Sequence, residues 1–197
     1  MIMTMKINKV LLSATFCVLT MSAAPVVAQT YIVDPTHTFP SFEADHFGAS
    51  YWRGKFNKSK GKIVLDRVAK TGSIDITIDT ASIDFGLEAM NAHARDEDIF
   101  DVKKFPTATF KSTDIKFEGD KPSAVEGNFT LRGITKPITL RINRFKCFTH
   151  PVIKKESCGA DASATIQRTD FDMNYAINLG FSPEVKLSIQ VEAIRAE

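Results

Sequence analysis

The sequence is short of several things. Its 197 residues include one tryptophan, three cysteines, ten glycines and eight prolines, and 25 basic residues nearly cancel 23 acidic ones. Too little glycine and proline is present for a collagen-like or low-complexity chain. The balance of charge removes the broad basic footprint expected of a nucleic-acid binder. No apolar run reaches the ~20 residues that a membrane span requires. Local catalytic signatures are missing as well: there is no G-x-S-x-G, no H-E-x-x-H and no glycine-rich phosphate loop. An acidic cluster at Asp96, Glu97, Asp98 and Asp101 is most simply a wet surface.

What is present begins with an address. Residues 1–28 carry Lys6 and Lys9, then an apolar run from Val10 to about Ala24. Val26 and Ala28 follow at the third and first positions before a cut at Gln29. This is the layout of a secretory signal peptide. Losing Lys6 and Lys9 with that segment takes the formal charge of +2 to zero. Residues 29–197 are expected to form a single exported domain. Cys147 and Cys158 remain in it, and an even count in an oxidising compartment points to a disulfide. A metal site from Cys147, His150 and Cys158 is the alternative, one ligand short of tetrahedral zinc.

The remaining chain alternates. In Ser73–Asp79, Ile74, Ile76 and Ile78 share one face, and Ser73, Asp75, Thr77 and Asp79 the other. Period-two patterning of this kind marks a half-buried strand. Phe42, Ala44 and His46 alternate in the same way, as do Trp52, Gly54 and Phe56, then Val125, Gly127, Phe129 and Leu131, then Val185, Leu187, Ile189 and Val191. Further runs cover 61–66, 107–117, 138–147 and 162–168, punctuated at Gly72, Gly119, Pro122, Gly133, Pro137, Gly159 and Pro183. Eight or nine strands with short connections predict an all-β fold, an antiparallel barrel of about eight strands that leaves no free edge. A two-sheet sandwich is the other arrangement. Residues 86–106 break the pattern and predict one or two short helices from about Glu88 to Val102.

A barrel of this size either fills itself or holds one ligand. Its inward parity mixes large rings (Phe42, Trp52, Phe56, Phe110, Phe129) with almost bare positions (Ala44, Gly54, Gly61, Ala108, Gly127, Ala162, Ala164). That mixture suits an apolar tunnel lined by aromatics, and equally a core in which large side chains interdigitate with small ones.

Five segments, in order, carry a resemblance: YIVDPTHTFPSFEADHFGASYWRGKF, SIDITIDTASID, DIFDVKKFPTATFKS, VEGNFTLRGITKPITL and ATIQRTDFDM. Together they resemble the YceI-like family from about Tyr31 to Glu197. The resemblance implies a lipocalin-like barrel exported in bacteria, hence periplasmic. It further implies an elongated apolar cavity for polyisoprenoid or other long-chain lipids, including prenyl phosphates and quinones, with no catalytic activity established for the family as a whole. His37 and His46 match its opening motif, and His93 the segment before Ile99-Phe100-Asp101. Three positions depart from the family pattern: Phe39-Pro40, Ala94 after His93, and Asp172 after Phe171, where a glycine is usual.

The expected cavity wall is Phe42, Ala44, Trp52, Phe56, Ile74, Ile76, Ile78, Phe110, Phe129, Leu131, Ile166, Leu187 and Ile189. Candidate contacts to a ligand's polar head are His37, His46, His93 and Arg168. A buried histidine tying strands together through hydrogen bonds is the plainer role for His46. For Arg168 a structural salt bridge to Asp170 or to a loop acid is an equal alternative. Five basic residues in 53–62 form a solvated face or a contact with anionic lipid. The expected function is binding of a long-chain isoprenoid, polyprenyl phosphate, quinone or fatty amide, for transport, storage or stress response, with no further cofactor, catalytic residue or metal. The alternatives are a redox accessory or enzyme acting on an isoprenoid quinone, and a filled structural barrel. Transient membrane contact and a homodimer stay open as further associations.

Overall fold

The computed structural model describes residues 28–197, so the expected signal segment lies outside the described residues apart from Ala28. The alternating runs become strands β1 (Gln29–Val33), β2 (Phe39–His46), β3 (Ser50–Phe56), β4 (Ser59–Asp66), β5 (Thr71–Asp79) and β6 (Ile83–Asp84). After one helix, α1 (Glu88–Arg95), come β7 (Thr107–Glu118), β8 (Lys121–Leu131), β9 (Ile134–Thr149), β10 (Glu156–Gln167) and β11 (Glu184–Arg195). Every pairing is antiparallel. Three long strands are bent, so β1 with β2, β3 with β4 and β5 with β6 each act as one stave. The sheet closes as eight staves, with β11 returning to pair with both β1 and β2. The eight-stranded antiparallel barrel is therefore correct, and the sandwich is not formed.

Closure depends on the bend in the first stave. Five residues, 34–38, oppose only Val191 and Glu192 of β11. Thr38, 1% exposed, replaces the interrupted ladder with its side chain. Its hydroxyl donates to the Glu192 carbonyl and accepts from the Glu192 N–H, each at 3.1 Å. Pro40 sits just past the bend, before the ladder to β3 begins at Ser41, where its missing N–H leaves that ladder intact.

Two bulges re-aim the inner face. In β7, the register shifts between Ser112 and Asp114, so Ala108 and Phe110 point inward before the shift and Ile115 after it. In β9, Ile142 and Arg144 oppose consecutive residues of β10, leaving Asn143 as the extra residue. An added residue reverses side-chain parity downstream, which brings Cys147 inward beside Cys158.

Some expectations need correction. Helix α1 stops at Arg95 instead of continuing to Val102. Asp96 is already extended, and the chain folds back so that the N–H groups of Phe100 and Val102 donate to the carbonyls of Ala94 and Arg95. This hook carries Phe100 into the barrel, and fully buried Ala94 is small enough to sit beneath it. Gly72, Pro122, Pro137 and Gly159 lie inside strands, not between them. For Gly72 the reason is close approach, since a Cβ there would stand 2.5 Å from the Val64 carbonyl oxygen. Arg132 and Gly133 do form a turn, with φ of 48° and 72°, as a two-residue hairpin of the primed type requires. Asp172 adopts a left-handed φ of 57°, which accounts for glycine suiting that place and for aspartate tolerating it.

The large-and-small mixture is resolved ring by ring. The Phe42 ring lies over Gly54, where a Cβ would meet its Cζ at 2.7 Å, and Phe110 lies over Gly127, where the same atom would be at 2.5 Å. These glycines seat aromatic rings and do not widen the barrel. Gly127→Ala is therefore expected to cost about 1–3 kcal/mol by overpacking, checked by urea denaturation. Cys147 and Cys158, paired in register on β9 and β10, form a disulfide. Because both sulfurs are bonded to each other, the metal alternative lapses. Replacing both by serine is expected to cost about 2–3 kcal/mol through the freed loop entropy, with the loss reproduced by adding reductant to the unaltered protein.

Candidate functional site

Successive staves run in opposite directions, so the connections sort to two ends of the barrel. At one end lie the β2–β3 turn, the 85–106 insertion, the Arg132-Gly133 turn and the long β10–β11 connection. The other end has the remaining turns and the disulfide. Between them the interior holds two apolar chambers. The upper, of about 320 Å³, reaches the loop-rich end, and the lower, of about 140 Å³, extends toward the disulfide.

All thirteen residues expected on the cavity wall line these chambers. Phe42, Ala44, Trp52, Phe56, Leu131 and Ile166 border the upper one. Ile74, Ile76, Phe110 and Ile189 border the lower one, and Ile78, Phe129 and Leu187 border both. The lower chamber is almost wholly hydrocarbon, completed by side chains such as Ile63, Leu65, Val125, Ile138 and Leu140. Alternation could have supplied these, since they continue the same parity along their strands. No periodic signal marks Phe85, Met90, Phe100, Met173, Tyr175 or Phe181, which come from the insertion and the β10–β11 connection.

The polar candidates divide. His46, His93 and Arg168 border the upper chamber, together with Asp45 and Asp98. His37 does not. It lies exposed in the bend, where its Nδ1 meets the Asp34 carboxylate at 2.7 Å. The two histidines are an odd number of residues apart, and His37 lies in the bend before β2 begins, so one sequence motif sends them to different places.

His46 points inward as expected but is half-buried at the mouth and is not a hydrogen-bonded core histidine. Its ring makes edge contacts to Phe47, Trp52 and Phe181 at 5.0, 6.1 and 5.3 Å between centroids. Across the mouth, the His93 ring stands edge-on to Tyr175 at 4.8 Å. These contacts clasp the β10–β11 connection from both sides. Among the described residues, neither imidazole is hydrogen-bonded to an acid or hydroxyl that could prepare it for proton transfer.

Arg168 forms no salt bridge to Asp170. Its Nε donates to the Ser182 carbonyl at 3.1 Å and Nη1 to the Met173 carbonyl at 2.9 Å. Burial pulls its pKa below the ordinary arginine value, yet a guanidinium stays charged in such surroundings. The upper chamber thus carries a cation whose partners are neutral carbonyls. Arg132 has a different task. Its Nη1 donates to the carbonyls of Glu97 and Ile99 at 2.8 and 2.6 Å, latching the insertion to the β8–β9 turn.

The basic run of 53–62 points outward; the Arg53 charge is offset by Glu43 at 2.7 Å, while the Lys55 ammonium lies over the Phe39 ring, 4.8 Å from its centroid.

The family model for the YceI-like domain matches residues 31–193. This chain belongs to the YceI-like family. Protein YceI of Salmonella agona is 35% identical over 192 residues, covering 95% of this chain and 98% of its own length. Among solved structures, BcnA of Burkholderia cenocepacia shares the fold, with a TM-score of 0.68 and 24% identity, over 82% of this chain and 99% of that one. A polyisoprenoid binding domain from Saccharophagus degradans, implicated in plant cell wall breakdown, shares it with a TM-score of 0.62 and 16% identity, over 85% and 99%. The YceI-like barrel here therefore matches both in architecture.

The hydrogen bond that the His37 ring donates to the Asp34 carboxylate raises the His37 pKa above its ordinary 6.5. Burial pushes the Asp34 carboxyl upward, but hydrogen bonds from Thr36 and His37 outweigh it and leave its pKa lowered. A raised histidine contributes stability in full below its unfolded pKa and loses it as pH rises through the folded value. The pair's contribution should therefore fade above pH 6.5. NMR titration is expected to place the His37 midpoint above 6.5, and Asp34→Asn to move it back down.

Proposed function

We propose that this chain is a periplasmic carrier that holds one long-chain isoprenoid or other lipid in the barrel, without turnover. The observation that carries this reading is the pair of apolar chambers inside a closed barrel, which persist although the interior is rich in phenylalanine. Chamber and mouth suit an amphiphile. The wall accepts hydrocarbon, while Arg168, His46, His93, Asp45 and Asp98 offer polar groups near the opening for a phosphate, quinone or amide head. The polyisoprenoid binding domain of Saccharophagus degradans, built on the same fold, adds support.

Affinity would come from desolvation. Burying a methylene is worth about 0.8 kcal/mol, so ten carbons supply about 8 kcal/mol before ordering costs. Export to the periplasm rests on the N-terminal signal pattern and accords with the disulfide.

Protein recovered from its native host and examined by native mass spectrometry is expected to carry one long-chain lipid per chain. Trp52, the sole tryptophan, borders the upper chamber, so its emission should shift to shorter wavelength when prenyl phosphate, quinone or fatty amide is added to delipidated protein. A chain that is recovered bare and rejects all three would overturn the proposal.

A further inference from the structure

Ile78, Phe129 and Leu187 belong to the walls of both chambers. They stand on β5, β8 and β11, the third, fifth and eighth staves of the closed ring, so they converge on the axis from three sides. Phe129 is braced from behind, edge-on to the Phe171 ring at 5.4 Å, and Phe171 is 1% exposed. Below this ring of side chains the polar atoms are already committed: the Thr38 hydroxyl binds Glu192, and the Tyr31 side chain is hydrogen-bonded to Glu156. The lower chamber therefore suits only the hydrocarbon end of a ligand.

We infer that Ile78, Phe129 and Leu187 form a constriction that selects ligands by tail length, an inference that rests on the lipid-binding reading. Short tails end in the upper chamber. Longer ones must displace the Phe129 ring before they gain the lower chamber, so affinity rises with length in two stages separated by a plateau.

The position of the plateau follows from the strands. Leu187 pairs in register with Phe42, four residues from His46 at the mouth. At about 3.3 Å per residue and a barrel tilt near 40°, that is about 10 Å along the axis. With C–C bonds of about 1.5 Å, an extended chain covers this depth in about eight carbons.

The test is a titration of the delipidated protein, followed by Trp52 emission, with straight-chain fatty amides of about six to eighteen carbons. Affinity should tighten about fourfold per carbon until about eight to ten carbons, level off over the next few, then rise again. Phe129→Ala should abolish the plateau. Leu187→Phe, which leaves Trp52 the sole tryptophan, should abolish the second rise and lower the ratio of long-tail to short-tail affinity. A single unbroken slope in the unaltered protein would overturn the constriction alone, as would profiles that keep the same plateau and second rise in both variants. Failure of the unaltered protein to bind any member of the series or a prenyl phosphate would overturn the lipid reading itself, and the constriction with it.

Discussion

Closure of the sheet through β11 is the constraint on which the rest depends. One half of β11 pairs with β2 and the other with β1, and Thr38 spans the gap with its hydroxyl. A closed ladder pairs the backbone groups of its own wall, so the wall need not be held up by a packed interior. An open sheet of the same length would have to bury its inner face against another layer. The chambers are affordable because the barrel is shut.

Within that wall, glycine and phenylalanine are used in pairs. Phe42 over Gly54 and Phe110 over Gly127 are packed close, whereas Ile78, Phe129 and Leu187 border both chambers. Tunnel and interdigitated core, which look like rival readings of one composition, coexist at one level, since Phe42 and Phe110 are the register partners of Leu187 and Phe129. Rings lie flat against the wall where a neighbour lacks a side chain, and the axis stays open where none reaches across.

Much of this was legible from period-two alternation, because in a closed antiparallel barrel parity alone decides which side chains face inward. It held for Phe42, Trp52, Ile74, Phe129 and Leu187. It failed wherever an extra residue resets the count. The bend at residues 34–38 moves the inner face from odd positions in β1 (Tyr31, Val33) to even ones in β2 (Phe42, Ala44, His46), and the bulges near Thr113 and Asn143 reverse the inner face of β7 and β9. Residues contributed by irregular segments had no period to betray them. Phe100 arrives on a hook that ends α1 early, and Tyr175 and Phe181 arrive on a connection held by Arg168 and aromatic contacts. Arg168 itself was recognisable as unusual, but its carbonyl partners lie 5 and 14 residues away in the chain and only the folded backbone brings them close.

The disulfide has a mechanical corollary. It ties β9 to β10 at the end of the barrel remote from the mouth, within a cluster that includes Tyr31, Leu65 and Ala193. The latch at Arg132 and the aromatic clasps at the mouth are noncovalent, so the staves are riveted at one rim and merely buttoned at the other. Breathing of such a cylinder is polarised: it flares at the buttoned rim while the riveted one keeps its girth, so the proposed ligand would enter and leave by the same door.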